Sequence, residues 1–414
     1  MLAEDLNELY TRIGPGTRMG ALLRRYWYPF AAVSDMEKRW TKKIRLLGEG
    51  LVLFKDRRGR FGLIAEQCPH RRASFAYGIP TDDGLRCPYH GCEFDAAGVC
   101  LDQSNEPNHG ALRGKCIATA YPVEELGGML FAYMGPLPAP ILPRWDGFVV
   151  EGAVRTCGRA VIPVNWLQIM ENSVDPIHTE WLHGKHYEFI KEGEGVKVPI
   201  SRHHLKIAFD EFEFGIVKRR LLEGQSEESD DWLVGHPMVF PNMLSVGNGN
   251  ADARSYNFQI RVPVDDTNTL HLWYTAYVPP RSAAIPSHLK GRVTVYDVPF
   301  LDENGEHIVD YLDGEDIMAW VTQGRIADRA GEHLGTTDSG IVMLRRILER
   351  ELDKIERGED PIGVLRDPTR NGPISLPVER NKHHFSDGFA ARLQRGQGRY
   401  MPIKDELITL FSGG

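Results

Sequence analysis

The sequence predicts an α+β protein with two domains, a small antiparallel β domain followed by a larger domain that mixes helices with longer strands. At 414 residues the chain is longer than one ordinary domain. Short apolar runs alternate with glycine turns in its first third, which is typical of antiparallel β structure. A proline-rich stretch follows. Beyond it come longer apolar runs and a segment whose apolar residues keep helical spacing. That stretch therefore marks the domain boundary.

The first domain is expected to follow an N-terminal segment, residues 1–40, whose aromatic-rich part 24–29 suits a packed lead-in. Strands are predicted over 44–47, 51–54 and 61–65, because short apolar runs are separated there by glycine turns. The last strand of the domain is predicted over 129–134. We place this domain at residues 41–147.

The boundary contains four prolines in one short stretch, Pro136, Pro138, Pro140 and Pro143. Proline fixes φ and lacks a backbone donor, so this composition favours an extended linker. The second domain then covers residues 148–414. Its predicted strands are 255–262 and 269–278, and a helix should follow Asp338 as N-cap. Apolar residues keep helical spacing after that cap: Ile341, Leu344, Ile347, Leu348, Leu352 and Ile355.

The composition, with 42% apolar and 26% charged residues, is that of a globular protein in water. A formal charge of −8 gives no reason to expect nucleic acid or an anionic membrane as partner. No apolar run approaches the roughly 20 residues of a spanning helix, and the first residues lack the pattern of a signal peptide. The six cysteines are not spaced as a disulfide framework. A cytoplasmic location is expected.

The first motif that carries chemistry is Cys68-Pro69-His70, followed after sixteen residues by Cys87-Pro88-Tyr89-His90. Two thiolates and two imidazoles suit zinc, but the order Cys-His then Cys-His differs from that of common zinc fingers. The set matches a Rieske [2Fe–2S] centre, where two cysteines hold one iron and two histidines hold the other. This motif predicts electron transfer.

The second motif lies in residues 172–184 and contains Asp175, Pro176, His178 and His183. A helix should begin here with Asp175 as N-cap and Pro176 at its first position. Residues five apart lie about 140° around an ideal helix, so the two histidines converge only if the last turn loosens, and Gly184 is expected to end the helix. Two imidazoles and one carboxylate form the facial triad of non-haem Fe(II) oxygenases. Taken alone, the pair also fits surface histidines.

The third ligand of such a triad must be a carboxylate that is remote in sequence. The stretch 313–324 offers Asp313, Glu315 and Asp316, and the residues themselves do not separate these three. A solvated acidic helix start is the alternative interpretation.

These motifs together resemble the Rieske non-haem iron aromatic ring-hydroxylating oxygenases, large (α) subunit, in particular the phthalate dioxygenase-like branch. The resemblance covers nearly the whole chain and includes residues 11–20, both Cys-His half-sites, 172–184 and 315–328. It implies a helix-grip catalytic domain with a curved antiparallel sheet, on which the N-terminal 40 residues pack. One departure is Cys92, which stands where these proteins commonly have tryptophan.

The resemblance also implies the roles of the individual residues. Cys68 and Cys87 would bind one iron of the cluster, and His70 and His90 the other. The mononuclear iron would be held by His178, His183 and Asp316, since the family pattern places an acidic residue followed by six residues and then a glutamine, here Gln323. Asp175 would bridge His178 and the His90 of a neighbouring subunit. A head-to-tail homotrimer is therefore implied, with stacking of two trimers left open.

The implied function is that of a terminal oxygenase, an oxidoreductase that incorporates molecular oxygen. It would take electrons from a partner reductase or ferredoxin and hydroxylate an aromatic compound, with an aromatic carboxylate favoured. The chain has no convincing dinucleotide motif, so NAD(P)H and flavin belong on the partner. The alternatives are a Rieske monooxygenase acting as an O- or N-demethylase and, less favoured, an electron carrier with a dead second site.

Residues that anchor the substrate are not identified by the sequence. Five side chains could bind a carboxylate, although charged surface is the favoured interpretation for most of them: Arg202, His203, His204, Arg219 and Arg220.

Overall fold

The structure is a computed structural model that describes residues 3–104, 106–107, 115–249, 253–378 and 388–412. Its strands, in chain order, are β1 (Trp27–Ala32), β2 (Thr41–Leu46), β3 (Glu49–Lys55), β4 (Phe61–Ala65), β5 (Ile79–Pro80), β6 (Leu85–Arg86), β7 (Cys92–Phe94), β8 (Cys100–Gln103), β9 (Ala120–Tyr121), β10 (Val123–Leu126), β11 (Met129–Tyr133), β12 (Val154–Ile162), β13 (His204–Phe212), β14 (Gly215–Leu222), β15 (His236–Val239), β16 (Met243–Gly249), β17 (Arg254–Asp265), β18 (Asn268–Val278) and β19 (Val293–Asp297).

The α-helices are α1 (Glu4–Thr11), α2 (Arg18–Leu23), α3 (Asp146–Val149), α4 (Trp166–Ser173), α5 (His178–Glu180), α6 (Tyr187–Gly193), α7 (Asp230–Leu233), α8 (Leu312–Val321), α9 (Ser339–Glu356), α10 (Phe389–Arg395) and α11 (Lys404–Ser412). A π-helix, Trp181–His186, joins α5 to α6. Single 3₁₀ turns occur at Val33–Met36, Phe75–Tyr77, Ser287–Leu289, Thr336–Asp338, Pro368–Arg370 and Gln397–Tyr400. Within the described ranges, every helix is too short or too polar to cross a lipid bilayer.

The first half of the chain forms two four-stranded antiparallel sheets, β2-β3-β4-β9 and β5-β6-β7-β8. Between them lies a small apolar core that contains Val52, Phe54, Phe75 and Phe94. Glycines at the tight turns, such as Gly48 with φ 82°, let strands of five to seven residues reverse direction. The predicted strands are therefore present, each within a few residues of its expected bounds.

The N-terminal segment contacts both parts of the structure. Strand β1 pairs with β11, the last strand before the prolines, in a third sheet of order β1-β11-β10. Helices α1 and α2 instead pack against α4 and α9, where the Tyr10 hydroxyl donates to Glu349 Oε1 at 2.5 Å. This segment therefore ties the small sheets to the larger half of the chain.

The second half is built on an eight-stranded sheet of order β13-β14-β15-β16-β17-β18-β12-β19. Its pairs are antiparallel except for the edge pair β12–β19, which is parallel, so the sheet is mixed where a wholly antiparallel one was expected. The long strands β17 and β18 form a hairpin through the turn that the sequence predicts. Helix α9 begins after Asp338 as predicted, although this side chain accepts from Gly335 N and does not cap α9 itself.

The two faces of this sheet have different partners. Phe258, Ile260 and Leu272 point to one face and join the main core with the N-terminal segment. The opposite face carries Gln259 and its register partner Trp273. Side chains alternate along a strand, so this second face also carries Arg261 and His271. The register from β14 to β17 places Lys218 on the same face. Helix α8 covers it, and the candidate site lies between the two.

Candidate metal centres

The two Cys-His half-sites occupy two loops with the same hydrogen-bond pattern. In the first loop Cys68 N donates to Ala73 O and Arg72 N donates to Cys68 O, both at 2.8 Å. The second loop repeats this pattern, with Cys87 N donating to Cys92 O at 2.8 Å. The cysteine therefore begins an equivalent tight loop in each half-site, which fixes its thiol toward the interior.

Each loop also turns through a residue with positive φ, 62° at Arg72 and 73° at Gly91. The loops then bring the two imidazoles together, with the ring centroids of His70 and His90 4.7 Å apart. His70 is exposed and His90 half-buried. Nothing in the sequence signals the left-handed turn at Arg72, since non-glycine residues rarely adopt it.

The two thiols face each other below the imidazoles. Cys68 and Cys87 are buried, with 1% and 3% of their surface exposed. Burial, followed by the adjacent Cys87 thiol, raises the pKa of the Cys68 thiol to about 12. Paired thiols inside and paired imidazoles outside are the arrangement that a [2Fe–2S] group with two cysteine and two histidine ligands requires. The residues fit that group, and binding it would release the thiol protons.

A third thiol lies at the same loops. Cys92 Sγ is 3.9 Å from His70 Nδ1 and 4.0 Å from Gln103 Nε2. Burial raises the pKa of the Cys92 thiol, so it stays uncharged at neutral pH. The departure from tryptophan at this position thus puts a small sulfur next to the imidazole pair.

The second group of converging ligands joins His178, His183 and Asp316, one atom of each lying within 4.8 Å of the others. Asp316 Oδ1 is 3.2 Å from His183 Nε2 and 3.8 Å from His178 Nε2. This oxygen is buried and has no hydrogen-bond partner in the described structure. An orphaned carboxylate oxygen between two imidazoles fits a divalent metal ion, which two nitrogens and one oxygen suit.

The π-helix explains how histidines five residues apart converge. Its i→i+5 hydrogen bonds widen the turn after α5, which brings His183 back over His178 with ring centroids 5.1 Å apart. The expectation that Gly184 ends the helix is wrong, because the chain continues through the π-turn into α6. Gly184 has another function, since a Cβ there would lie 2.7 Å from Ser201 Cβ.

Helix α8 separates the three carboxylates that the sequence left equivalent. Asp313, Glu315 and Asp316 are 5%, 0% and 7% exposed, so the solvated helix start is wrong. Asp316 meets the imidazoles. Glu315 Oε2 is 2.8 Å from His183 Nδ1, and Asp313 Oδ2 accepts from Gln397 N at 2.7 Å. Burial, and next to it the charge of Asp316, raises the pKa of Asp313 to about 6.

Glu315 is held from its other side by Arg395, whose Nη2 donates to both carboxylate oxygens at 2.9 Å. The Arg395 guanidinium also covers the Tyr187 ring at 3.5 Å. Burial lowers the pKa of His183, but Asp316 and Glu315 outweigh it and raise this pKa to about 9. A carboxylate that orients the second nitrogen of an imidazole is the usual support of a metal ligand.

Asp175 lies next to the other imidazole. Its Oδ1 accepts from Ile177 N at 2.8 Å, close to the capping contact that the sequence predicts. Its Oδ2 is 3.4 Å from His178 Nδ1. Burial would raise the pKa of Asp175, but His178 and the Ile177 amide outweigh it and keep this pKa below its usual value. Each of the two imidazoles thus has one nitrogen turned to Asp316 and the other to a carboxylate.

A cavity of about 220 Å³ lies on the same sheet face, between β16–β18 and the helices α8 and α10. Since a cavity of about 150 Å³ holds benzene, this one suits a substituted aromatic ring. Its lining joins apolar and polar side chains: Val246, Asn257, Gln259, Thr275, Asp313 and Arg395.

The basic residues named from the sequence as carboxylate anchors have other partners. Arg219 Nε donates to Asp210 at 2.6 Å and Arg220 Nε to Asp231 at 2.9 Å. His203 and His204 both contact the Glu180 carboxylate, and Arg202 is exposed. Four of these five side chains thus contact carboxylates, and none of the five lines the cavity.

Three buried residues on the cavity face were missed by the sequence: Lys218, Arg261 and His271, which are 8%, 1% and 0% exposed. The His271 ring stacks against Trp273 and Trp320, with centroid distances of 4.1 Å and 5.5 Å. Burial, then the nearby Arg261, holds the pKa of His271 far below its usual range, so it is neutral. Only the strand register, which the sequence does not give, brings the three to one face.

Family models match two parts of the chain. Residues 26–121 match the Rieske [2Fe-2S] domain, and residues 307–372 match the LigXa C-terminal domain like family. The first match contains both Cys-His loops, and the second contains helix α8 with its three carboxylates.

Two relatives of known activity are similar over most of the chain. The 5,5'-dehydrodivanillate O-demethylase oxygenase subunit of Sphingobium sp. (strain NBRC 103272 / SYK-6) is 42% identical over 382 residues, 91% of this chain and 87% of that protein. The phthalate 4,5-dioxygenase oxygenase subunit of Pseudomonas putida is 29% identical over 402 residues, 88% and 89% of the two chains.

Among solved structures, the oxygenase in the oxygenase–ferredoxin complex of carbazole 1,9a-dioxygenase has the same fold. The TM-score is 0.57 at 18% identity, and the match covers 83% of this chain and 94% of that one. The two-part α+β fold predicted from the sequence is thereby confirmed.

Proposed function

The chain belongs to the Rieske non-haem iron oxygenases, as its motifs predict, and from this premise we propose how its residues divide the work of a terminal oxygenase subunit. Its cofactors are a Rieske [2Fe–2S] cluster and a mononuclear iron. The observation that carries the proposal is the orphaned Asp316 Oδ1 facing the Nε2 atoms of His178 and His183. The second nitrogen of each imidazole faces another carboxylate.

We assign the cluster to the two matching loops. Cys68 and Cys87 would hold one iron, and the less buried pair His70 and His90 would hold the other. Supporting this assignment, the thiols are buried and paired while the imidazoles point outward. Electrons would therefore leave the cluster through its histidine side.

We assign the mononuclear iron to His178, His183 and Asp316. When bound there, iron would supply positions at which dioxygen is activated next to the substrate. Glu315 fixes the ring of His183 through Nδ1, and Arg395 holds Glu315 in place. Asp175 Oδ2 approaches the corresponding nitrogen of His178 to 3.4 Å, without a hydrogen bond in the described structure. Gln259 and Asn257 offer polar groups to the cavity.

The electrons would come from a partner, a ferredoxin or a reductase that carries NAD(P)H and flavin. The carbazole 1,9a-dioxygenase complex supports a ferredoxin as partner, since its oxygenase has the same fold. We further propose a head-to-tail homotrimer, in which Asp175 passes electrons from a neighbouring subunit's cluster to His178. A cytoplasmic location, where nicotinamide cofactors are reduced, completes this proposal.

For the substrate we propose an aromatic carboxylate. Relatives at 42% and 29% identity are named for dehydrodivanillate and phthalate, both aromatic acids. The first is an O-demethylase, which makes oxidative removal of a methyl group from a methoxy-substituted aromatic acid the second candidate reaction. The intact triad argues against a chain that only carries electrons.

The test supplies the metal-loaded protein with a reductase and measures oxygen consumption. Phthalate and the methoxy-acid vanillate would be compared, with products identified by mass after labelling with ¹⁸O₂. We expect ¹⁸O in the hydroxylated product of phthalate or, for vanillate, an unlabelled demethylated acid together with formaldehyde that takes up the oxygen, and Asp316→Ala should abolish both reactions. Consumption of oxygen with neither a labelled hydroxylated product nor a demethylated acid from any aromatic compound would contradict the proposal.

A further inference from the structure

Arg261 is a buried cation that has no ionic partner among the described residues. Its side chain is 1% exposed, and its Nη1 and Nη2 donate only to the backbone and side-chain oxygens of Gln259, at 2.9 Å and 3.0 Å. Its Nε is buried and has no partner in the described structure. The cross-strand neighbour His271 is neutral and gives it no compensation.

Lys218 is in the same situation on β14. It is 8% exposed, and no carboxylate within the described ranges lies within ion-pair distance of its amine. Through the strand register it lies on the same sheet face as Arg261 and His271, and the charges of Asp175 and Asp316 act on it from further away. Burying a cation without a partner is costly, and such cations are retained where they bind something.

Other basic residues in this region have their charge compensated by a carboxylate. Arg220 lies two residues from Lys218 on the same strand and face and pairs with Asp231 at 2.9 Å. Arg395 in the cavity wall pairs with Glu315 at 2.9 Å. The fold therefore supplies carboxylates to the basic residues of this region but leaves Lys218 and Arg261 without one.

Both cations belong to the sheet face that forms the cavity. Arg261 is held by Gln259, which lines the cavity between β16–β18 and α8. A divalent iron on Asp316 would add further positive charge to this space. An anionic ligand is the group that would balance it.

We propose that Lys218 and Arg261 form an anion subsite that binds the carboxylate of the aromatic substrate and orients its ring toward the triad. This inference rests on the proposed function and names the residues that select its substrate class. An arginine can bind a carboxylate through two donors, and a lysine adds a compact charge. A neutral aromatic compound of the same shape leaves both cations unpaired and binds less well.

The experiment measures equilibrium binding to the metal-loaded enzyme without oxygen, so that no turnover occurs. Phthalate and vanillate are titrated by calorimetry beside their uncharged methyl esters. In the wild-type enzyme we expect the better-bound acid to exceed its ester at least about tenfold in affinity. Lys218→Met and Arg261→Met should each weaken binding of the acid by a similar factor and leave the ester unchanged.

Arg219→Met is the matched control, because Arg219 is adjacent on β14, points to the opposite face and pairs with Asp210. It should bind the acid as wild type does. The visible spectrum of the cluster and the iron content show whether each variant is folded and loaded. If Arg261→Met loses the cluster or the iron, the subsite is tested with Lys218→Met and Arg261→Lys. The lysine of Arg261→Lys keeps the charge, so this variant should retain part of the affinity for the acid.

Unchanged affinity for the acid in Lys218→Met and Arg261→Lys would overturn the subsite, as would equal binding of acid and ester by wild type. Failure of wild type to bind either acid, together with ¹⁸O incorporation into a neutral aromatic compound, would overturn it while leaving the oxygenase function intact. If the acid binds more tightly than its ester and both cation variants weaken it, but no product forms, the proposed reaction is wrong and the subsite stands.

Discussion

Glu315 and Asp316 are adjacent residues with different roles, because their carboxylates contact different groups. Asp316 Oδ1 faces two imidazole nitrogens, whereas Glu315 is fully buried between His183 and Arg395. A buried carboxylate is stable only when it is paired. The contacts of Glu315 with Arg395 therefore fix it where it can hold the His183 ring in place for a metal.

Glu315→Gln should lower the affinity for mononuclear iron by about 10- to 100-fold, the usual cost of losing an outer carboxylate. The amide keeps the size of the side chain but cannot compensate Arg395. Iron content after dialysis against a weak chelator measures the effect, and the cluster spectrum should be unchanged. Glu303→Gln, at an exposed position in the same half of the chain, serves as the control. Wild-type iron retention in Glu315→Gln would contradict the assigned function.

Asp175→Asn should keep both metals and lose most turnover. Asparagine preserves the oxygen that accepts from Ile177 N, so the local turn survives. It removes the charge beside His178 Nδ1, through which we propose that electrons arrive. Rapid-mixing measurements should show a reduced cluster that is reoxidised slowly. Normal product formation with normal metal content would rule out the bridge.

Binding of an aromatic acid should weaken at alkaline pH through Lys218. Burial, and next to it Arg220, lowers the pKa of the Lys218 amine to about 8. The titratable groups around it lie on several elements: Arg220, His236, Arg261, Asp175 and Asp316. The charged amine binds the anion, so affinity is full well below pH 8 and declines above it, in total by about the tenfold that Lys218→Met should cost. Lys218→Arg should move this decline to higher pH, and a flat profile up to pH 10 would contradict the prediction.

At the scale of elements, the π-helix decides whether the two histidines meet. An α-helical turn would leave His183 about 140° away from His178, whereas the wider turn returns it to the same side. Gly184 lies inside this turn and packs against the backbone and side chain of Ser201. The site thus depends on a close approach that tolerates no side chain.

Gly184→Ala should destabilise the protein and displace His183. The added Cβ would lie 2.7 Å from Ser201 Cβ and 3.0 Å from its Cα, so the turn or the Ser201 backbone must shift. We expect a loss of about 1–3 kcal/mol in unfolding free energy, together with a lower iron content. Gly193→Ala is the control, since nothing lies within 4 Å of its Cβ position in α6. That change should be neutral or stabilising by up to about 1 kcal/mol. Equal melting temperatures for the two variants would contradict this account.

The elements also show where sequence reasoning reaches and where it stops. The spacing of Cys68, His70, Cys87 and His90 is local, so the ligand set is readable without a structure. Glu315 supports a histidine 132 residues away and is itself held by an arginine 80 residues away. Contacts at that separation follow from the packing of α8 and α10 on the sheet. No periodicity in the chain encodes them.

At the scale of the whole molecule, the candidate centres present exposed aromatic groups. Tyr89 stacks on His90 at 3.8 Å and is 55% exposed, and Trp181, at the start of the π-helix, is 63% exposed. Exposed large aromatic side chains mark surfaces that other proteins cover. A head-to-tail trimer would place the cluster of one subunit against the iron site of the next, and a heterologous contact of this kind closes into a ring.

If electrons cross between subunits, two inactive variants should restore each other. Cys68→Ser lacks the cluster and Asp316→Ala lacks the mononuclear iron, so neither turns over alone. In each head-to-tail trimer that contains both variants, one of the three interfaces joins a subunit with a cluster to one with iron, so product formation should recover to about a third of the wild-type level. Co-expression with two different affinity tags isolates the mixed trimers. Activity no higher than that of the separate variants would show that each subunit uses its own cluster.

A second mixture locates Asp175 in this exchange. Asp175→Asn keeps its cluster, so together with Cys68→Ser it should also recover about a third of the activity in trimers that contain both variants. Paired with Asp316→Ala it should recover none, because the bridge and the iron belong to the same receiving subunit and every receiving subunit is then defective. Recovery in this last mixture would move Asp175 to the donating side. The proposed route from His90 through Asp175 to His178 would then be wrong in direction even if the trimer is right.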